Sequence, residues 1–405
     1  MKWEIAKLGD ISKNIQTGPF GSQLHQSDYS ECGIPVVMPK DLVGGKISEE
    51  SIARVDKTHV ERLCRHKIEV GDILYSRRGD VGRCAHVTKK EEGWLCGTGC
   101  LRVTIDSEKA DSRFVFFQLQ HPDTVGWVEK HAVGATMLNL NTTILSSVPI
   151  RLPALEIQKR IADILSAYDD LIENNQKQIK LLEEAAHRLY KEWFVDLRFP
   201  GHENTKIVDG VPEGWNWCKL EDAIQLDPKV TLTKERMKQF IPMSALSTSS
   251  MVLDESQFTE TTSNSGSKFQ NGDTLLARIT PCLENGKTAY VSGLKSDEGA
   301  VGSTEYIVMR AKTINSYMVY LLARTDDFRQ SAINSMSGSD GRQRVKSDKL
   351  KMLDYLHPTG ELVEKFEKVA GPIFEKICKL SKQMQQAKQA RDLLLPKLMS
   401  GEVEV

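Results

Sequence analysis

The sequence predicts an α+β protein in which two similar domains, related by a pseudo-twofold axis, are separated by two long antiparallel coiled-coil helices. Three observations predict it: short motifs recur in the same order about two hundred residues apart, each half of the chain ends in a long amphipathic segment, and each half contains short strands bounded by turn residues. The predicted domains span 1–153 and 199–358. The predicted spacer helices span 154–198 and 359–405.

The duplication is visible in motifs whose side chains have drifted but whose order is preserved. The pairs are Trp3, Leu8 and Asp10 with Trp215, Leu220 and Asp222; Ile34–Val36 with Ile241–Met243; Gly71–Leu74 and Arg77 with Gly272–Leu275 and Arg278; Gly97-Thr98 with Gly302-Ser303; and Leu152-Pro153 with His357-Pro358. A repeat of this length exceeds the roughly 20–50 residues of a solenoid unit. We therefore expect two similar domains, and a partner with two similar sites.

The composition gives the chain no overall attraction for nucleic acid. Lys and Arg total 54 and Asp and Glu total 55, so any nucleic-acid surface must be local. No apolar run approaches the ~20 residues needed to cross a bilayer, and the N-terminus lacks the apolar stretch of a secretory signal. We expect a cytoplasmic protein with no membrane contact.

The eight cysteines have no paired CxxC spacing, which favours reduced structural thiols. Cys96 and Cys100 are the one close pair, and His86 is the nearest upstream imidazole. A tetrahedral zinc site needs four convergent ligands, and a second such pair is missing. The sequence therefore predicts no metal site.

The first long segment has apolar side chains at a period of 3.5 residues, which is typical of a coiled coil. Its seam positions are Ile161, Tyr168, Asn175, Leu182 and Leu189, alternating with Leu165, Ile172, Ile179 and Ala186. We expect this helix to begin near Glu156 and to end before Pro200, which gives a length of roughly 55 Å at ~1.5 Å per residue.

The second long segment repeats the pattern. Its seam positions are Leu362, Phe366, Val369, Ile373, Ile377, Leu380, Met384, Ala387, Arg391 and Leu394. Two steps of four residues around Ile373 break the heptad phase and predict local unwinding, and Pro396 predicts the end of the helix. Either each helix packs on its own domain, or the two seams pack against each other. We favour the second, with antiparallel helices and Asn175 fixing their register.

The globular halves contain short apolar or alternating runs that indicate strands. These runs are Val36–Met38, Ile73–Ser76 and Leu101–Ile105. Gly71-Asp72 and Gly272-Asp273 are turn dipeptides in front of strands, and Phe114–Leu119 indicates a short helix or a strand end. Each half is therefore predicted to be α+β.

Motifs of enzymes are largely missing from the chain. No two prolines are adjacent, which excludes the Asn/Asp-Pro-Pro-Tyr/Phe motif of amino-methyltransferases, and no Gly-rich loop has the Rossmann pattern. Asn285–Thr288 resembles the end of a phosphate-binding loop, but strand-like residues follow it where a helix is required. Pro122-Asp123 and Glu129-Lys130 lack the spacing of a metal-nuclease core, which favours a turn. The sequence predicts no catalytic residues.

Several stretches together resemble the specificity subunit of type I restriction-modification systems. They are Thr17–Leu24, Tyr29, Gly33–Val36, Gly71–Gly79, Val81–Arg83, Gly134–Thr136, Asn139, Val148–Ile150, Leu155–Ala162, Tyr190, Trp193–Val195 and Leu395–Glu402. The resemblance covers essentially the whole chain. The second half departs from it, because the Gly18–Ser22 motif has no counterpart there and Ser337–Arg344 replaces the Gly134–Leu140 stretch.

The resemblance implies two target recognition domains that bind the two halves of a split double-stranded DNA sequence. It also implies that the helices dock two modification (methyltransferase) subunits, which carry S-adenosylmethionine, and that restriction/translocase subunits join for cleavage. This chain would itself hold no cofactor. The candidate DNA-binding residues are Lys40, Arg77, Arg78, Arg83, Arg278, Arg342, Gln343, Arg344 and Lys346.

Two other functions are compatible with parts of the sequence. A helical scaffold that binds only proteins would not need the clustered cations at Arg77–Arg83 and Arg342–Lys346. An enzyme with a fused restriction-modification activity would need the methyltransferase motifs that are missing. The sequence therefore favours the DNA specificity subunit, although it does not identify the bases recognised or the length of the gap between the half-sites.

Overall fold

A computed structural model describes residues 3–20, 23–134, 138–296, 298–338 and 342–405. Some residues of the predicted motifs lie outside the described residues, namely Gly21, Ser22, Ala135, Thr136 and Ser339–Gly341.

The helices alternate with clusters of short strands. The helices are α1 (Lys57–Arg62), α2 (Ser112–Gln120), α3 (Pro122–His131), α4 (Thr142–Ser146), α5 (Leu155–Tyr190), α6 (Leu220–Ala223), α7 (Ser316–Ala323), α8 (Asp326–Asn334), α9 (Ser347–Lys351) and α10 (Gly360–Ser400). A π-helical turn, Lys191–Val195, extends α5.

Most strands are two to four residues long. Those before α5 are β1 (Glu4–Lys7), β2 (Ser12–Thr17), β3 (Tyr29–Ser30), β4 (Ile34–Val37), β5 (Leu42–Val43), β6 (Lys46–Ile47), β7 (Ala53–Val55), β8 (Ile73–Ser76), β9 (Cys84–His86), β10 (Leu95–Cys96), β11 (Cys100–Ile105) and β12 (Pro149–Leu152). Those after α5 are β13 (Ile207–Val208), β14 (Val211–Pro212), β15 (Asn216–Lys219), β16 (Ile224–Leu226), β17 (Lys238–Ile241), β18 (Thr259–Thr261), β19 (Ser267–Phe269), β20 (Thr274–Ala277), β21 (Thr288–Tyr290), β22 (Ala300–Gly302), β23 (Tyr306–Ala311) and β24 (Asp354–His357).

The chain forms two compact units, and both long helices contribute to each of them. Unit 1 comprises Met1–Leu171 and Ala387–Val405, and unit 2 comprises Ile172–Gln386. The predicted boundaries followed the order of elements along the chain. Contacts instead group each globular part with a segment of α5 and a segment of α10.

Two of the three sheets have the same strand order in both units. In the third, the fourth strand lies at opposite edges, with β3 beside β7 in unit 1 and β19 beside β22 in unit 2. Unit 1 has the strand orders β2-β11-β8-β9, β10-β4-β7-β3 and β1-β12, and unit 2 has β16-β23-β20-β21, β18-β17-β22-β19 and β15-β24. In unit 1, β4 pairs with β7 antiparallel and with β10 parallel. In unit 2, β17 pairs in the same way with β18 and β22. The predicted duplication is therefore a duplication of the fold.

The repeated Gly-Asp dipeptides build the same turn before β8 and β20. Gly71 and Gly272 have φ angles of 91° and 90°, a region that favours glycine. The Asp72 carboxylate accepts a hydrogen bond from the Glu69 amide at 2.9 Å, and Asp273 makes the matching contact with the amide three residues earlier at 2.8 Å. The dipeptide thus closes the turn with a buried carboxylate.

In unit 1, the first part of α5 packs against the last part of α10. Ile161 lies in one buried apolar cluster with Leu398 and Met399. Arg391 of α10 donates from Nη1 to Asp169 Oδ1 of α5 at 2.6 Å. The C-terminal end of the chain is therefore part of the core of unit 1.

In unit 2, the last part of α5 packs against the first part of α10. The Tyr190 and Phe366 rings lie 6.1 Å apart, and the Trp193 and Phe366 rings lie 5.6 Å apart. Since the beginning of α5 pairs with the end of α10 in unit 1, the helices run antiparallel, as predicted. One predicted seam position is wrong, because Val369 is 46% exposed. The other predicted seam positions are buried or half-buried, among them Leu165, Tyr168, Ile172, Ile179, Leu182, Leu189, Ile377, Leu380, Met384 and Leu394.

Two expectations for α10 were wrong. The helix does not end at Pro396 but continues to Ser400, it passes through Pro372, and it is unbroken around Ile373. A proline inside a helix costs about 3 kcal/mol through a lost N–H and a clash with the carbonyl four residues earlier. Burial of Leu398 and Met399, each worth roughly 1.5–3 kcal/mol, offsets that cost.

The turn predicted at Pro122-Asp123 was also wrong, because these residues form the first turn of α3. Pro122 occupies the first helical turn, where its missing N–H is not needed. The His121 side chain caps this helix by accepting a hydrogen bond from the Asp123 amide at 3.2 Å.

Asn175 is a buried polar residue in the seam of α5. Its side chain is 2% exposed, and its Nδ2 donor has no acceptor among the described residues. An unsatisfied buried donor costs about 1–3 kcal/mol. An unpaired Asn175 amide therefore lowers stability. That it disfavours other registers of the helix pair, a known use of a polar seam residue, stays a prediction.

We expect Asn175→Leu to raise the free energy of unfolding by about 1–2 kcal/mol, because it removes the unpaired donor and adds apolar burial. Urea titration followed by circular dichroism measures the change. Asn174→Leu is the matched control, since Asn174 is exposed and its replacement should change stability little. A loss of stability in Asn175→Leu alone would show that the amide has a partner.

Candidate nucleic-acid interface

The loop after β8 in unit 1 and the loop after β20 in unit 2 begin with equivalent arginines. The Arg77 amide donates to Gly99 O at 2.8 Å, and its carbonyl accepts from the Leu140 amide at 2.8 Å. In unit 2, the Arg278 amide donates to Glu305 O at 3.0 Å, and its carbonyl accepts from the Val345 amide at 2.9 Å. The sequence pairing of Arg77 with Arg278 is therefore a structural equivalence.

A small three-stranded ribbon follows each of these arginines. In unit 1, Asn139 bridges to both Arg78 and Val133. We call the described residues 77–79, 133–134 and 138–140 the unit 1 ribbon. The equivalent residues 278–280, 337–338 and 342–345 form the unit 2 ribbon.

The unit 2 ribbon repeats the unit 1 pattern. Arg344 bridges to both Ile279 and Ser337, as Asn139 does in unit 1. Gly134 and Gly338 have φ angles of 129° and 131°, which mark the same turn in both ribbons. The Ser337–Lys346 segment thus takes the place of the Gly134–Leu140 stretch although the sequences differ.

In each unit, a glycine lets the loop after β8 or β20 pack closely against a helix. A Cβ added at Gly82 would lie 2.9 Å from Val125 Cγ1 of α3, and one added at Gly286 would lie 2.9 Å from Arg329 Nη1 of α8. The close approach requires glycine in unit 1, because a valine on a helix has little freedom to move. In unit 2 the neighbouring atom ends a flexible side chain, but the φ of 77° at Gly286 also favours glycine.

The candidate cations of unit 1 differ in their exposure and in their hydrogen-bond and ion-pair partners. Arg78 is exposed and makes no side-chain hydrogen bond or ion pair within the described ranges. Arg83 donates from Nε to Asp80 at 2.7 Å, and Lys40 donates to Ser51 O at 2.8 Å. Arg77 is half-buried, and its Nε has no acceptor in the described part of the chain. Arg78 is thus the most available cation of this ribbon.

The candidate residues of unit 2 also differ in their exposure and in their hydrogen bonds. Arg342 and Lys346 are exposed, with no side-chain hydrogen bond or ion pair to a described residue. The Gln343 side chain is half-buried, and its carbonyl accepts from the Thr280 amide at 3.1 Å. Arg278 is half-buried, and its Nε, like that of Arg77, lacks an acceptor among the residues described.

Arg344 is the one candidate of unit 2 that is held by a carboxylate. Its Nε donates to Glu305 Oε2 at 2.9 Å, and its Nη2 donates to Oε1 at 2.7 Å. The hydrogen bond from Arg344 is the largest influence that lowers the pKa of Glu305, and the charges of Arg344 and Arg278 lower it further. Sequence reasoning missed Glu305, since its equivalent in unit 1 is Gly99 and no repeated motif marks the position.

The other motifs considered in the sequence have structural roles. Lys287, in the stretch that resembles a phosphate-binding loop, donates from Nζ to Met243 O at 2.9 Å and leads into β21. Burial raises the pKa of the Cys96 thiol to about 12, and the pKa of Cys100 is also raised. Within the described ranges, no cluster of His, Cys, Asp or Glu could hold a metal ion, and no helix has the length and apolar character needed to cross a membrane.

The fold is a duplication, and each of its two units carries an equivalent ribbon. Residues 1–184 match the family described as the type I restriction modification DNA specificity domain. The type I restriction enzyme MjaIX specificity subunit of Methanocaldococcus jannaschii is 26% identical, over 100% of this chain and 94% of that protein. The type I restriction enzyme HindI specificity subunit of Haemophilus influenzae is 21% identical, over 99% of both.

A solved structure supports the fold along the whole chain. The S subunit of a type I restriction-modification system from M. genitalium matches with a TM-score of 0.64 and 15% identity, covering 98% of this chain and 96% of that one. Together with the sequence relatives, it confirms the resemblance found in the motifs. The family match at residues 1–184 and the relatives along the whole chain thus make this chain similar to the specificity subunits of type I restriction-modification systems.

The contact between Gly82 and α3 can be tested by a pair of substitutions. We expect Gly82→Ala to lower the free energy of unfolding by about 1–3 kcal/mol, because the new methyl group overlaps Val125. Val125→Ala costs stability alone but removes the overlap, so the double variant should lose less than the sum of the two. Urea titrations of the three variants measure this coupling. If the losses in the free energy of unfolding are strictly additive, Gly82 does not pack against Val125.

Proposed function

We propose that this chain binds double-stranded DNA at a bipartite target, with each unit recognising one half-site through its ribbon. The observation that carries the proposal is the repetition of the same ribbon, with polar and cationic side chains at its surface, on two units of one fold. A duplicated surface of this kind suits a ligand with two separate sites. The major groove, where base pairs differ in their donors and acceptors, is also wide enough for two adjacent strands of such a ribbon.

The charge distribution supports a local DNA surface. The chain carries 54 basic and 55 acidic residues, so it offers no general attraction for a polyanion. Arg78 in unit 1 and Arg342 in unit 2 are nevertheless exposed and unpaired among the described residues. Exposed cations that are not neutralised by neighbouring carboxylates suit contacts with phosphates or base edges.

The long helices suit a second role as the spacer between half-sites and as a docking surface. Leu181 on α5 and Leu393 on α10 are 64% and 69% exposed, so parts of the helix pair leave apolar side chains for a protein partner. We propose that two modification subunits dock on the helices and that restriction/translocase subunits join them. The chemistry, with S-adenosylmethionine as the cofactor, would reside in the modification subunits, and this chain would be non-catalytic.

Arg78 provides the test of DNA contact in unit 1. We expect Arg78→Ala, in the complex assembled with the modification subunits, to weaken DNA binding about tenfold, or roughly 1.4 kcal/mol. If the contact is to a phosphate, the dependence of log K on log salt should also become shallower by about 0.9. Fluorescence anisotropy titrations at several salt concentrations measure both quantities.

Arg83→Ala is the matched control, because Arg83 lies in the same loop but is paired with Asp80. It should change binding less than Arg78→Ala. Unchanged affinity and salt dependence in Arg78→Ala would remove this residue from the interface. A complex that shows no preference for any DNA sequence would favour the helical scaffold over the specificity subunit.

A further inference from the structure

The Arg344–Glu305 pair has a geometry that leaves one edge of the guanidinium group available. Glu305 accepts hydrogen bonds from the Nε and Nη2 atoms, which form the side edge of the group. The remaining N–H groups, on Nη1 and on the outer side of Nη2, point away from that edge in the same plane. The Arg344 side chain is 44% exposed, so solvent or a ligand can reach it.

These free donors match one base in the major groove. Guanine presents two acceptors there, O6 and N7, and arginine binds them with two parallel hydrogen bonds. A carboxylate that already holds the guanidinium plane removes much of the rotamer freedom that would otherwise be lost on binding. Glu305 is also well placed to stay ionised at neutral pH, because Arg344 lowers its pKa.

The ribbon does not need this ion pair for its own structure. The backbone of Arg344 exchanges two hydrogen bonds of 3.0 Å with Ser337, and the amides of Thr280 and Val345 donate across the same ribbon at 3.1 and 2.9 Å. Partly exposed ion pairs contribute little to stability. The pair therefore orients a side chain more than it holds the fold.

Among its described residues, unit 1 has no equivalent pair. Gly99 occupies the position of Glu305, and Asn139 occupies the position of Arg344. The scaffold is the same in both units, but only unit 2 carries this cation and its carboxylate. The two ribbons should thus differ in the bases that they recognise.

We propose that Arg344 recognises a guanine in the half-site bound by unit 2, and that Glu305 is the positioning residue that orients Arg344 for it. The proposal rests on the proposed function, since it requires that the unit 2 ribbon contacts DNA. It assigns a base and a positioning carboxylate to a ribbon that otherwise has only a set of candidate cations.

The test uses the full chain assembled with its modification subunits and a DNA library randomised at the target. Wild-type complex should select guanine at one position of one half-site, with discrimination of roughly five- to hundredfold. Arg344→Ala and Arg344→Lys should lose that preference while the other half-site is unchanged. Lysine keeps the charge but cannot make the two parallel hydrogen bonds.

Glu305→Gln tests whether Glu305 acts by orienting Arg344 or only through its own negative charge. Removing a negative charge near the DNA should leave or increase affinity for random DNA, whereas loss of the charged partner should reduce the preference for guanine. A role in folding alone would not move these two quantities in opposite directions. Arg342→Ala is the matched control, because Arg342 is exposed on the same ribbon and has no such partner among the described residues. It should lower affinity without changing the preference for guanine.

A base analogue tests whether Arg344 contacts N7 of the selected guanine. Replacing the selected guanine by 7-deazaguanine removes N7, which should weaken binding of the wild-type complex and leave Arg344→Ala unaffected. The proposal is overturned if Arg344→Lys keeps the guanine preference, if Arg344→Ala weakens all sequences equally, or if the analogue affects both complexes alike. A wild-type complex that selects no bipartite sequence would instead contradict the proposed function.

Discussion

The antiparallel packing of α5 against α10 is the interaction on which the rest of the structure depends. In unit 1 the core includes Leu398 and Met399 from the end of α10, and in unit 2 it includes Tyr190 and Trp193 from the end of α5 and its π turn. Unit 1 takes part of its core from the end of α10, and unit 2 takes part of its core from the end of α5 and the beginning of α10. Each unit therefore depends on both long helices for its core, and we expect the buried Asn175 to favour one register of the helix pair.

The two units share much of their backbone structure but differ in the side chains of their ribbons. Both units have the Gly-Asp turn, the arginine that follows β8 or β20, and the same strand order in the sheet that contains β8 or β20. The ribbon positions differ, with Asn139 in unit 1 where unit 2 has Arg344. A specificity subunit benefits from this separation, because base recognition can change without changes in the core.

Sequence patterns predicted the features that depend on local chemistry and periodicity. The heptad seams, the Gly-Asp turns and the strands around Ile73–Ser76 follow from spacing and turn residues, and the structure has them all. The continuation of α10 through Pro396 could not be predicted in this way, because the burial that offsets the proline comes from residues distant in sequence. The same holds for Glu305, which is placed by strand pairing and matches a glycine in unit 1.

The proposed role of the helix pair as a spacer links the fold to the function most directly. One heptad inserted within Gln176–Lys180, matched by one near Met384, would lengthen both helices and preserve their seam. The assembled complex would then be selected against a library with randomised half-sites and gaps. We predict the same half-site bases with a longer gap between them. Altered bases with an unaltered gap would contradict the role of the helices as the spacer.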